Sequence, residues 1–176
     1  LDTTISVYEP DDLDYMTRPE ALDAVLTDLR AHQVDPGPDG FFTALRHIDL
    51  LGHLALRFTA DAHHLLAEEI PTTNPAQDAL RSSQAAATIG RALAHYTQAL
   101  PALAKVTDPA SRATIDAQLA AIPHHSALRR HLDAAQRTLD EARIELTGAV
   151  PSLPTRKASV DAKPPATPRP LHRRGL

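Results

Sequence analysis

Ten histidines hold most of the reactive potential of this sequence near neutral pH: His32, His47, His53, His63, His64, His95, His124, His125, His131 and His172. An imidazole grips a metal only in company, and on a helix that company stands three or four residues away, where side chains converge on one face. No two of the histidines have that spacing. Two mixed sets of acid and histidine do, Asp49 with His53, and Asp61 with His64 and Glu68. His53, Asp61, His64 and Glu68 are therefore the candidate metal ligands. The competing reading of the same residues is a solvated helix face with i,i+4 pairing, and no cofactor is expected.

Other reactive arrangements are missing. Asp61-x-x-His64 resembles the carboxylate-x-x-His pair of di-iron bundles, but that chemistry uses a second pair on another helix, and the chain has none. His124 and His125 follow Pro123 at an expected turn between helices, where an imidazole suits the negative end of the preceding helix. There is no Gly-x-Ser-x-Gly elbow and no Ser-x-x-Lys, and the serines fall at helix starts or on thin packing faces. The six glycines never gather into a phosphate-binding loop. Glu68 and Glu69 are adjacent, so on a helix they point about 100° apart and do not make an acid–base pair. No catalytic residue is expected.

A nucleic-acid partner has two possible footholds. Residues 115–132 resemble a helix-turn-helix, with a turn at Pro123-His124-His125-Ser126 and a second helix opening on Arg129 and Arg130. The turn lacks glycine, and Arg129 also has Asp133 within helical reach. The other foothold is the tail. After Gly148 the last 28 residues carry Arg156, Lys157, Lys163, Arg169, Arg173 and Arg174 against the single Asp161, a net +5, whereas residues 1–148 are net −9. No aromatic is interleaved to stack on bases, so nucleic-acid binding through this tail would be weak and salt-sensitive. Six of the fifteen prolines also lie there, so the tail is expected to be disordered and locally polyproline-like, although Pro168-Arg169-Pro170 does not complete a P-x-x-P pattern.

Helices must position all of these residues. Residues 1–17 read as an irregular acidic arm. Thr17-Arg18-Pro19-Glu20 is a capping box with proline in the first turn, followed by an apolar face of Leu22, Val25, Leu26 and Leu29 that runs to the breakers Asp35–Gly40. A long helix follows over 41–70. Its seam is Ala44, Ile48, Leu51, Ala55, Phe58, Ala62 and Leu65, widened by Leu45, Leu50, Leu54 and Leu56, leaving a polar stripe from Arg46 through His53 and Arg57 to Glu68. Asn74-Pro75-Ala76-Gln77 starts the next helix, in which Ala79, Ser82, Ala86, Ile89, Leu93, Tyr96, Leu100 and Leu103 keep the same spacing and Pro101 should kink or restart the helix. Asp108-Pro109 should open a shorter helix with Ala113, Ile115, Leu119 and Ile122 in the core, ended by Pro123. Ser126 should cap the last helix, which has a regular heptad of Leu128, Leu132, Ala135, Leu139, Ala142 and Leu146 and an outer ladder of Arg129, Asp133, Arg137 and Glu141.

Composition fits this picture. The 176 residues are 43% hydrophobic and 3% aromatic, with 31 alanines, 24 leucines and no cysteine, which removes disulfides, thiolate metal sites and cysteine nucleophiles. Every apolar run is too short to span a membrane, and no secretory signal pattern stands at the amino end, so a cytoplasmic chain is expected. Fifteen arginines against three lysines fit a high-GC bacterial genome. The expected fold is all-α, an antiparallel bundle of about four to five helices around a long helical hairpin. The expected division is arm 1–17, helical bundle 18–148 and Pro/Arg-rich tail 149–176. Abundant heptad seams and absent reactive groups point to a non-enzymatic interaction or scaffold protein that associates with itself or another protein. A nucleic-acid accessory protein and a metal- or small-ligand-binding bundle are the alternatives.

Overall fold

The computed structural model describes residues 7–67 and 73–147. Among these the architecture is wholly helical: α1 (Pro10–Leu13), α2 (Arg18–Ala31), α3 (Pro38–Leu66), α4 (Pro75–Thr107), a 3-10 turn at Pro109–Arg112, and α5 (Ile115–Thr147). The expected tail, with Arg156, Lys157, Arg169, Arg173 and Arg174, lies outside the described residues, as do Glu68 and the expected last turn of the second helix.

α4 is the spine. It packs along both α3 and α5, which hardly meet each other, and the short α2 lies across the pair. The neighbours run antiparallel: His47 of α3 faces Tyr96 while Gly40, nearer the start of α3, approaches Leu103, and Thr88 and Arg91 of α4 reach Glu145 and Glu141 of α5. One continuous core of Leu22, Leu26, Leu50, Leu54, Phe58, Ile89, Leu103 and Leu139, among others, fills the space. Alanines recur on the buried face of α4 at Ala79, Ala85, Ala86, Ala92, Ala99 and Ala102, which lets two long neighbours close on it. Gly40 is required at the start of α3, because a Cβ there would collide with the Asp35 carbonyl oxygen.

The caps form as their sequences demand. The Thr17 amide and hydroxyl both donate to Glu20 Oε2, at 2.9 and 2.6 Å, and Asn74 accepts from the Gln77 amide at 3.3 Å. The acidic arm is more ordered than its composition suggests. It contains α1, and Leu13 is fully buried. The expected polar stripe of α3 is what holds it: Arg46 donates to the Tyr8 carbonyl at 3.2 Å, Arg57 to the carbonyls of Leu13 and Met16, and His53 pairs with Asp14.

Four expectations need correction. Pro123 does not end a helix; α5 passes straight through it, so the turn of the helix-turn-helix reading is absent and His124 and His125 sit in mid-helix. Pro101 likewise lies inside an unbroken α4, so the helix does not restart there. Both prolines are exposed, as are Thr97 and Leu119, whose carbonyls lose their helical donor, so water can take up the lost hydrogen bonds. The third correction follows from the first. In an unbroken helix the heptad of Leu128, Ala135, Leu139 and Ala142 extends backward in phase to His124, Ala121 and Ala117, and these, not Ile115, Leu119 and Ile122, face α4. The latter three are exposed by 76%, 59% and 55%, and Ala113 is exposed as well. In α3, Leu45 and Leu56 likewise point outward while Leu50 and Leu54 are buried. Fourth, the outer ladder of α5 closes none of its own pairs, and Glu141 instead faces Arg91 across the helix interface at 3.9 Å.

Candidate functional site

Three helices each contribute one polar side chain to the core at a single level. Asp28 comes from α2, His47 from α3 and Tyr96 from α4; the first two are wholly buried and Tyr96 is nearly so. Asp28 occupies an apolar register of α2, seven residues after Ala21 and three after Val25, and both of those are buried too. His47 lies in step with Ala44, Leu51, Leu54 and Phe58 on the buried face of α3.

The Tyr96 hydroxyl stands 3.1 Å from His47 Nδ1, and the two rings meet edge to face. With that nitrogen accepting the phenol proton, the imidazole proton sits on Nε2, facing Asp28 Oδ2 at 3.7 Å. The gap is too long for a hydrogen bond, and both Nε2 and Oδ2 are left without a partner. The other oxygen of Asp28 is well served: Arg46 donates to it, and His32 Nδ1 lies 3.4 Å away. Burial drives the His47 pKa down to about 4, outweighing the Asp28 carboxylate, which pulls it up. Burial, aided by Asp28, pushes the Tyr96 phenol well above its usual value. Near pH 7 the imidazole and the phenol of this line are thus both neutral.

Tyr96 is also the floor of a cleft of about 510 Å³, between the end of α2 with its following connection and the middle of α5. Leu29, Val34, Leu128 and Leu132 complete the apolar part, and Arg30, Asp35, Arg129 and Asp133 stand around it. Arg30 is engaged by Asp140 at 2.9 Å, whereas Arg129 makes no ion pair among the described residues. The cleft can hold a small apolar group, and its charges balance. His47 is sealed behind Tyr96, and burial keeps the phenol protonated near neutrality. The trio fixes the level at which α2, α3 and α4 meet, since a one-turn slip would bury all three polar groups against apolar neighbours.

The sequence-derived metal candidates do not converge as a set. His53 Nε2 is 2.8 Å from Asp14 Oδ1 on the arm, His64 lies beside His63 with ring centroids 5.7 Å apart, Asp61 is half-buried on α3, and Glu68 is outside the described residues. Among the described residues no three His, Asp or Glu side chains gather as a metal ion would require. His95 and His131 face each other from α4 and α5 with ring centroids 6.2 Å apart, a pair that no spacing within a single helix announces. Arg129 and Arg130 lie in mid-α5, exposed, with no turn in front of them. Among the described residues no helix is long and apolar enough to cross a membrane.

Comparison with protein-family models, with curated proteins and with solved structures finds no match.

Proposed function

We propose that this chain is a non-enzymatic helical interaction module that pairs with a second copy of itself through the first turns of α5. The observation that carries this reading is the stripe of Ile115, Leu119 and Ile122, exposed by 76%, 59% and 55% along one side of a helix whose opposite side is packed on α4. Spacing of four and then three residues keeps the three side chains in line, as a helix seam requires. A twofold pairing uses the same patch on both copies, and a continuous apolar stripe on one helix meets that demand without a second surface. Isolated exposed leucines need no explanation, but three large aliphatic side chains in register do.

Light scattering across a concentration series tests this. The expected result is a mass rising toward twice the 19.0 kDa of the chain, and a return to monomer in Leu119→Glu with helical content unchanged. A strict monomer at every concentration, or a dimer indifferent to Leu119→Glu, sinks the proposal.

A further inference from the structure

A second surface lies on the opposite side of α2 from the core, where the arm crosses it. Tyr8, Tyr15 and Met16 of the arm, with Glu20 and Asp23 of α2, line a shallow groove of about 490 Å³. Tyr15 is 93% exposed, an unusual position for an aromatic ring in a chain with so few of them. From Glu9 to Asp23 the surface carries six carboxylates against the single Arg18. His53 takes up Asp14 and Arg143 takes up Asp23, while Glu9, Asp11, Asp12 and Glu20 have no basic partner among the described residues. The bonds from Thr17 hold Glu20 below the usual carboxylate range, so it stays charged.

We infer that this groove is the docking site of the chain's own Pro/Arg-rich segment, residues 164–170. Chemistry, charge and position all favour that segment. Pro165-Ala166-Thr167-Pro168 has the P-x-x-P spacing that Pro168-Arg169-Pro170 alone lacks, and a polyproline helix has three residues per turn, so both rings share one face with Arg169 directly after them. Surfaces that bind such a face offer aromatic rings to the prolines and carboxylates to the arginine, which is what Tyr8, Tyr15 and Glu20 provide. The second is charge: the tail is net +5, and the arm with the start of α2 is the most acidic stretch of the body. The third is position. Arg143, one turn before the end of α5, holds Asp23 at the rim of the groove with Nε 2.8 Å from Oδ1, so the chain leaves the bundle beside the site. Residues 148–163 are a tether of sixteen residues, which at about 3.1 Å per residue when extended spans roughly 50 Å. A tether of that length holds the segment at an effective concentration near the millimolar range, enough for a weak site to be filled.

The absence of cysteine makes the test direct, because a single cysteine introduced at Ala162 carries the only spin label in the full-length protein. At low salt the label should broaden the amide signals of Tyr15, Glu20 and Thr27 to less than half intensity and leave those of the Tyr96 cleft sharp. The broadening should fade at about 0.5 M salt, where charges are screened within a few ångströms, and in Tyr15→Ser or Pro165→Ala/Pro168→Ala variants. Tyr15 is too exposed for its loss to affect folding. No broadening at low salt, broadening centred elsewhere, or broadening untouched by Tyr15→Ser overturns the inference. So does broadening seen only when isotope-labelled and spin-labelled copies are mixed, which would make the contact one between chains.

Discussion

The two halves of α5 are one helix with two different lives. From Leu128 to Ala142 it places Leu128, Ala135, Leu139 and Ala142 in the core and has α2 and α4 for neighbours. From Ile115 to Ala127 it buries only Ala121 and presents isoleucine and leucine to solvent. The neighbours differ: α2 ends at Ala31 and its covering stops with it. Where α2 is present, the bundle is deep enough to enclose even an aspartate and a histidine. Where it is absent, this half of α5 has only α4 and the 3-10 turn to pack against, and its bulky residues are on the other face. A small helix thus decides which part of α5 is core.

The largest expected difference between the halves is in truncation. Leu139→Ala, at a fully buried site, should cost about 3 kcal/mol, whereas Leu119→Ala should stay within about 0.5 kcal/mol in the monomer. Urea unfolding followed by far-ultraviolet circular dichroism at low concentration measures both, and equal costs would abolish the distinction. Next comes acid. His47 has a folded pKa of about 4 against an unfolded value of 6.5, so the unfolded chain binds the extra proton in that window. Stability should be complete above pH 6.5 and fall as pH drops toward 4, by on the order of 2–3 kcal/mol. In His47→Gln that slope should shrink; an unchanged slope would show that other groups set it. The smallest effect belongs to the uncovered half. Pro123→Ala restores one helical hydrogen bond at an exposed position and should stabilise by about 1 kcal/mol, below the roughly 3 kcal/mol of a buried interior proline. A destabilised Pro123→Ala would mean that the ring serves a contact at this site.

Much of this architecture is legible in the amino acids. The Thr17 box, the Asn74 cap, the hairpin of α3 and α4 and the heptad of Leu128 to Ala142 all follow from local spacing, and local spacing is what hydrogen bonding and side-chain periodicity control. Continuity through Pro123 is not local. It depends on whether the carbonyl of Leu119 can find water, which only the tertiary arrangement decides. Phase depends on that continuity, since restarting a helix at Ser126 frees Ile115, Leu119 and Ile122 to be core, while an unbroken helix does not. The buried trio left a fainter signal. Asp28 and His47 each occupy apolar-register positions, but nothing in one helix says that its odd polar residue meets another's. Spacing within one helix gives no sign of His47 for the same reason.

The burial of Tyr96 has an optical consequence. The chain has no tryptophan and three tyrosines; Tyr15 is in solvent, Tyr8 is half-buried, and Tyr96 alone is enclosed, with its hydroxyl against His47. A ring held in one orientation in an asymmetric setting has strong near-ultraviolet ellipticity, and a freely turning one has almost none. The native tyrosine band is therefore chiefly the signal of one chromophore. It watches the level where α2, α3 and α4 meet, with no label added.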